Sequence, residues 1–164
     1  MTVVPVSPAG LMLVPLSSIN RLMEWRVEVI REVFAVDPRP RLIDANRDYY
    51  MRQVSCGDHF ALEARVGDAG VGCGAVCLSR ELPSPDNPDG LCAYLMNIYV
   101  RPQWRGRGIA SAIVARLVEE ARARGCDKIY LETTPEARAM YARLGFQPLP
   151  DIMKLPLAMS ANRP

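Results

Sequence analysis

The fold of this chain is decided by the stretch Gln103-Trp104-Arg105-Gly106-Arg107-Gly108, which joins an apolar segment to an amphipathic one. Residues 92–100 before it form an apolar run typical of a buried strand, and residues 109–124 after it repeat apolar side chains at helical spacing. Gly125 ends the predicted helix, and a second strand is predicted over 128–133. This order predicts a strand–helix–strand unit with parallel strands and a right-handed crossover.

The turn itself has the features of an anion site. The first turn of a helix leaves backbone N–H groups without partners, and the helix dipole makes that end positive. Gly106 and Gly108 have no Cβ, so an anion can approach the backbone, and Arg105 and Arg107 add positive charge. We expect a site suited to a pyrophosphate. The alternative is a strand-to-helix turn that glycine makes possible, with two arginines exposed to solvent and no bound anion.

Other phosphate-binding loops do not fit this turn. A P-loop requires the pattern GxxxxGK[ST], whose lysine and spacing are missing here. A dinucleotide-binding fingerprint requires a third glycine three residues after the second, and Ser111 occupies that position. Nucleotide binding of either kind is therefore disfavoured.

Outside this unit, the apolar pattern predicts further helices and strands. Ser17 or Ser18 caps a helix that ends near Ala35, and Thr134 caps a short helix with Pro135 at its first position. In chain order, the other predicted segments are an irregular lead-in (1–10), a strand (11–15), a second helix (41–54), two strands joined by a hairpin (59–66 and 70–79), a loop (82–90) and two paired closing strands (146–149 and 151–157). Together they predict one α/β domain over 1–164, a mixed, mostly antiparallel central sheet with one parallel βαβ unit and helices on both faces.

The composition argues against several function classes. The net charge of +2 is too small to indicate a nucleic-acid partner. Five cysteines without a CxxC pair, and a single histidine, His59, argue against a metal site and against a disulfide framework, and they favour reduced thiols in a cytoplasmic protein. No apolar run approaches the roughly 20 residues of a membrane helix, so no membrane partner is expected.

From Leu95 to Phe146 the sequence resembles the GNAT superfamily of N-acetyltransferases. Residues 103–108 match that family's signature [Q/R]xxGx[G/A], and residues 98–102 (Ile-Tyr-Val-Arg-Pro) resemble its donor-binding strand. Residues 141–146 (Tyr-Ala-Arg-Leu-Gly-Phe), preceded by Ala137, resemble its AxxxYxxxGF ending. Three motifs in the right order, with the expected helix and strand between them, make the match specific.

The resemblance implies an acyl-CoA-dependent N-acyltransferase that moves an acetyl group from acetyl-CoA, a co-substrate, to a primary amine by direct attack without a metal. Backbone groups of Ile98, Tyr99 and Val100 are expected to pair with the pantetheine arm, in a cleft where the strands of Ile98 and Ile129 splay apart. The pyrophosphate is expected at the signature turn, whose donor-site residues are Gln103, Arg105, Gly106, Arg107, Gly108, Ile109 and Ala110.

Tyr141 aligns with the general acid that the family uses, because a tyrosine hydroxyl near the thioester sulfur can protonate the departing thiolate. The alternative is a core tyrosine, since Tyr141 shares an apolar face with Ala137 and Leu144. Thr134 stands where many members have an asparagine that contacts the cofactor. It is expected either to share that contact or only to cap the helix.

The general base and the acceptor are left open. Many members use a glutamate on the donor-binding strand, whereas residues 92–100 contain no carboxylate. Glu63, Asp44 and Asp48 are alternatives, as are a water chain or an amine that arrives neutral. The missing carboxylate also leaves a second hypothesis, a non-catalytic acyl-CoA-binding or regulatory module. No motif specifies the small-molecule or peptide amine, and the resemblance implies a homodimer as one arrangement.

Overall fold

The structure is a computed structural model that describes residues 8–155. Part of the predicted lead-in (1–7) and the last two residues of the second closing strand (156–157) lie outside this range. The elements in chain order are β1 (Leu11–Leu16), α1 (Ile19–Phe34), α2 (Pro40–Ser55), β2 (His59–Val66), β3 (Ala69–Arg80), β4 (Leu91–Val100), a 3-10 turn (Pro102–Trp104), α3 (Ile109–Ala123), β5 (Lys128–Leu131) and α4 (Arg138–Arg143).

The five strands form one sheet in the order β1-β2-β3-β4-β5, so neighbours in sequence are neighbours in space. The first three pairs are antiparallel, and β4 pairs with β5 in parallel. The parallel pair follows from the crossover through α3, since a tight hairpin can join only antiparallel strands. The predicted mixed sheet with one βαβ unit is confirmed.

Helices cover both faces of the sheet, as predicted. On one face, Ile113 of α3 is fully buried against the strands. On the other face, Trp25 of α1 packs edge-to-face on Tyr99 of β4, with ring centroids 6.2 Å apart. Successive side chains of a strand point to opposite faces, so Ala61 and Leu62 of β2 belong to different cores.

The start of the last helix differs from the prediction. Thr134 does not cap it, because α4 begins at Arg138 with Ala137 at the N-cap. Arg138 N donates to Pro135 O at 3.4 Å, a bond that spans three residues, and the first four-residue helical bond runs from Tyr141 N to Ala137 O. The chain therefore winds through a separate tight turn before the helix begins.

The two closing strands predicted after Gly145 are wrong for the described residues. Residues 146–149 and 152–155 have no strand pairing, and a turn separates them. Pro148 and Pro150 stand at alternate positions and have no N–H. Because alternate residues of a strand donate to the same neighbouring strand, a strand in this segment would lack two successive hydrogen bonds to that neighbour. The fifth strand is also shorter than predicted, because β5 ends at Leu131.

Candidate functional site

The pairing of β4 with β5 covers only part of β4, and the sheet opens beyond it. The parallel pairs run from Cys92 with Lys128 to Leu95 with Leu131, whereas β4 continues to Val100. Within residues 8–155, the segment 96–100 therefore has a strand partner only on its β3 side. Its other edge presents backbone groups that an extended ligand can pair with.

A bulge in β4 lies at this opening. Asn97 and Ile98 both face Gly74 of β3, because the register shifts between the flanking pairs Ala75↔Met96 and Cys73↔Tyr99. Asn97 takes a φ of 56°, a left-handed value that asparagine adopts more readily than most residues. A Cβ on Gly74 would lie 2.5 Å from Cγ2 of Ile113 and 2.8 Å from Cδ1 of Ile98, so glycine lets α3 pack directly on the bulge.

The turn between β4 and α3 presents backbone amides at the N-terminus of the helix. Gly106 and Gly108 have φ values of 72° and 75°, which favour glycine, and Gly108 is the N-cap without a side-chain cap. The bond from Ala112 N to Gly108 O, at 3.0 Å, is the first of the helix. The amides of Ile109, Ala110 and Ser111 precede it and have no acceptor within the helix.

The two arginines of the turn fold back over it. Arg105 donates from Nε to the Val100 carbonyl at 2.9 Å, so one of the backbone groups expected to pair with the donor is engaged. Arg107 donates from Nη2 to the Gln103 carbonyl at 3.2 Å and lies over the Trp104 ring at 4.9 Å. In the described part of the chain neither has a carboxylate partner, so both charges stay available to an anion.

A cavity of about 420 Å³ lies at the N-terminus of α3. It brings together several predicted donor-site residues, namely Val100, Arg105, Gly106, Gly108, Ile109 and Ala110. It also includes residues that the sequence analysis missed as site residues, namely Trp104, Ser111, Met140, Arg143 and Leu144. The helical spacing of Met140 and Leu144 indicated a shared face, but only the tertiary structure, which brings α4 beside α3, turns that face into a cavity wall.

The other predicted site residues, Ile98, Tyr99, Gln103, Arg107, Thr134 and Tyr141, do not line this cavity. Tyr99 is buried under Trp25, and Thr134 is exposed, with its carbonyl accepting a bond from Thr133 Oγ1 at 3.1 Å.

Tyr141 is 7 % exposed and packs edge-to-face on Phe146, with ring centroids 5.8 Å apart. Burial raises the pKa of its hydroxyl, so Tyr141 keeps its proton at neutral pH. Its helical neighbours Met140 and Leu144 line the cavity, which sets Tyr141 beside that wall. A buried, protonated phenol is suited to donating a proton.

Of the three carboxylates considered as a base, Glu63 is committed to a structural contact. It is 3 % exposed and accepts bonds of 2.9 Å from Trp25 Nε1 and from Arg21 Nε. Asp44 and Asp48 are exposed on α2. A buried carboxylate that already accepts two donors is poorly placed to take a proton from a substrate.

A polar cluster on the α1/α2 face was missed by the sequence analysis. Tyr49 Oη lies 3.1 Å from His59 Nδ1 and 3.6 Å from the sulfur of Met96, beside the bulge. Burial lowers the pKa of His59 to about 4, so its ring is neutral at neutral pH. No local signal indicates this cluster, because its members come from α2, β2 and β4.

Residues 8–155 contain no cluster of three His, Cys, Asp or Glu side chains that could hold a metal ion. None of the helices in that range is long and apolar enough to cross a membrane.

The sheet opening, the bulge and the glycine turn before α3 are features of one class of protein. The comparison with protein families identifies that class. The chain belongs to the acetyltransferase (GNAT) family, whose model matches residues 19–146. The resemblance seen in the sequence motifs is confirmed, and the match extends from α1 to the end of the tyrosine motif.

Particular relatives match over shorter stretches. Glucosamine 6-phosphate N-acetyltransferase 1 of Oryza sativa is 38% identical over 91 residues, 54% of this chain and 53% of that protein. Thialysine N-epsilon-acetyltransferase of Sus scrofa is 33% identical over 95 residues, 44% of this chain and 56% of that protein. The chain thus spans about half the length of the curated relatives it matches.

Solved structures match over nearly the whole chain. A predicted acetyltransferase of Clostridium acetobutylicum, solved with acetyl-CoA, has a TM-score of 0.79 at 23% identity and covers 89% of this chain and 96% of its own. A GCN5-related N-acetyltransferase of Ralstonia eutropha has a TM-score of 0.75 at 26% identity, with coverages of 89% and 98%. The predicted fold class is confirmed by these likenesses.

Proposed function

We propose that this chain is an acetyl-CoA-dependent N-acetyltransferase that acts on a primary amine of a small molecule or peptide by direct attack. The opening of the sheet beyond Leu95 and Leu131 carries this proposal. It supplies an unpaired strand edge for an extended arm, and the N-terminus of α3 beside it supplies donors for a pyrophosphate. The small-molecule amines named in the two relatives support this class of acceptor.

We propose the following residues as the ones that hold the donor. Backbone groups of Ile98, Tyr99 and Val100 pair with the pantetheine arm, and the amides after Gly106 bind the pyrophosphate. Arg105 contributes through its side chain, because its amide already donates to Pro102 O at 3.2 Å. Gln103, Arg107 and Thr134, which do not line the cavity, are the remaining proposed donor-site residues.

The chemistry requires two proton movements. Acetyl-CoA, when bound, supplies the acetyl group as a thioester whose carbonyl carbon accepts the amine. Tyr141 donates the proton that the leaving thiolate needs, and its raised pKa keeps that proton in place until then. The proton of the amine goes to water, because Glu63 is engaged by Trp25 and Arg21. After the thiol leaves, water returns a proton to the Tyr141 phenolate.

Calorimetry with a matched pair of variants tests the donor site. Gly106 and Gly125 have φ values of 72° and 81°, and an added Cβ at either meets nothing within 4 Å. Gly106→Trp therefore places an indole in the cavity, while Gly125→Trp carries the same strain at the other end of α3. We expect wild type and Gly125→Trp to bind acetyl-CoA, and Gly106→Trp to lose at least tenfold in affinity.

The outcomes separate the two functional hypotheses. Absence of acetyl-CoA and CoA binding by wild type would refute the donor site. Binding without thiol release over a panel of amines would support the non-catalytic acyl-CoA-binding module. Thiol release that depends on an amine would support the transferase.

We also propose a cytoplasmic setting and a homodimer. The five cysteines are all free, which suits a reducing compartment. Sedimentation equilibrium at micromolar concentration tests the dimer, and a single monomeric mass would exclude it.

A further inference from the structure

Arg26 of α1 places a positive charge beside the bulge of β4. Its Nη1 donates to Asn97 Oδ1 at 3.0 Å, and its Nε donates to Asn46 Oδ1 of α2 at 2.9 Å. Both acceptors are neutral amides. Arg26 thus joins α1, α2 and β4 at the point where the sheet opens.

The charge of Arg26 is not neutralised by the described residues. Three of its five N–H donors have no acceptor among residues 8–155, and no carboxylate there forms an ion pair with it. Its neighbours on the same sheet face differ, since Arg21 pairs with Glu63 and Arg101 pairs with Glu28 through two bonds of 2.8 Å. A half-buried guanidinium held by amides has donors ready for an anion.

The titratable side chains of α2 and β2 near Arg26 are neutral. Burial raises the pKa of Tyr50 to about 12 and raises that of Tyr49, while burial lowers the pKa of His59 to about 4. All three side chains are therefore uncharged at neutral pH. Among the residues described, Arg26 is the charged side chain that hydrogen-bonds to Asn97.

The position of Arg26 relative to the open strand edge determines which molecule it meets. Asn97 belongs to the segment 96–100 whose free edge takes the donor in the proposed function. On the α3 face, Ile98 and Ile113 pack closely over Gly74, and the cavity at the N-terminus of α3 is the proposed place of the pyrophosphate. The acceptor therefore approaches from the α1/α2 face, where Arg26 lies.

We propose that Arg26 binds an oxyanion, a carboxylate or a phosphate, carried by the acceptor amine. The inference rests on the proposed function and specifies its substrate class, an amine with an anionic group within reach of the attacking nitrogen. The planar guanidinium can bind two oxygens of either group at once. The same charge repels a second ammonium, so diamines and polyamines are poor acceptors.

Matched acceptors test this assignment. We would compare 2-aminoethyl phosphate with ethanolamine, and β-alanine with propylamine, for wild type, Arg26→Gln and Arg26→Lys. Arg31→Gln is the control, because Arg31 lies on the same helix but is exposed and pairs with Asp37. We expect wild type and Arg31→Gln to favour the anionic member of at least one pair by tenfold or more in kcat/KM.

Arg26→Gln should reduce this preference below threefold while leaving the neutral acceptors within twofold of wild type, and Arg26→Lys should keep part of it. The pair with the larger preference identifies the oxyanion. Equal use of both members by wild type would overturn the proposal, and so would equal losses for neutral and anionic acceptors in Arg26→Gln.

Failure of the proposed function has a different signature. If no amine is acetylated, calorimetric titration of both matched pairs into the CoA-saturated protein decides the Arg26 assignment. Binding of 2-aminoethyl phosphate without ethanolamine, or of β-alanine without propylamine, lost in Arg26→Gln, would uphold it. Equal binding within both pairs, or no binding of any of the four compounds, would overturn it.

Discussion

Trp25 donates a hydrogen bond of 2.9 Å from its indole Nε1 to Oε1 of Glu63. The same oxygen accepts from Nε of Arg21 at 2.9 Å, and the carboxylate is only 3 % exposed. These contacts fasten α1 to β2. They give Glu63 a structural role, because a buried charge must keep its donors.

Replacement of Glu63 should therefore affect stability and leave catalysis unchanged. We expect Glu63→Gln to lower the free energy of unfolding by about 2 kcal/mol, near the low end for a buried pair because Arg21 is partly exposed. The kcat/KM of the folded fraction should stay within twofold of wild type. Urea unfolding and thiol-release kinetics measure the two effects, with the exposed Asp44→Asn as control. A hundredfold loss of activity at native stability would instead make Glu63 the base.

Removal of the Tyr141 hydroxyl should slow the chemical step. We expect Tyr141→Phe to lower kcat by about a hundredfold, the contribution typical of a positioned general acid. Affinity for acetyl-CoA by calorimetry should change little, because the ring and its contact with Phe146 remain. Tyr130→Phe, on β5 beside Tyr94, is the matched control. Unchanged kcat in Tyr141→Phe would show that Tyr141 is a core tyrosine only.

Protonation of His59 should destabilise the fold as the pH falls. The pKa of His59 is about 4 in the folded chain and 6.5 as the reference for the unfolded chain. Below pH 6.5 the unfolded chain binds a proton that the folded chain excludes, so stability decreases until about pH 4 and then levels off. The gap between these values corresponds to about 3 kcal/mol.

His59→Phe isolates this effect, since His59 is the single histidine of the chain. Urea unfolding of both proteins between pH 4 and pH 7.5 should show wild type losing about 3 kcal/mol more stability than His59→Phe as the pH falls, because the carboxylates contribute equally to each. Parallel curves would show that His59 is not held neutral in the folded state.

The close packing at Gly74 predicts a coupled pair of mutations. Gly74→Ala introduces a Cβ that would lie 2.5 Å from Cγ2 of Ile113, so we expect a loss of about 1–3 kcal/mol of stability. In Gly74→Ala/Ile113→Ala the smaller side chain removes the closest clash while the contact with Ile98 remains, and the double variant should be more stable than the sum of the single effects predicts. Additive losses would show that the cost of Gly74→Ala does not come from its contact with Ile113.

Local patterns in the sequence predicted most elements closely. The strand predicted over 59–66 is β2 (His59–Val66), and the helix predicted over 109–124 is α3 (Ile109–Ala123). Ser18, one of two alternatives for the cap of α1, accepts a bond of 3.4 Å from Arg21 N. These features are set by neighbours within a few residues, namely apolar spacing, a capping hydroxyl and a glycine stop.

The predictions that were wrong concern segments whose local pattern suits a strand or a helix start but whose backbone does not form the hydrogen bonds that such an element requires. Residues 146–149 have an apolar character suited to a strand, but Pro148 and Pro150 remove the donors that a ladder requires. Thr134 and Pro135 look like a helix start, yet the chain makes a separate turn before Arg138. The sequence pattern alone did not decide between these outcomes.

The sequence by itself determined the strand–turn–helix unit around Gly106 and Gly108, and with it the family. Only the tertiary structure decided where β4 leaves β5, and that Arg26 meets Asn97 although 71 positions separate them. The physical reason is that a turn and a helix start depend on backbone groups close in the chain. A site between sheet and helices depends instead on which side chains the packed faces bring together, and no local period in the sequence encodes that.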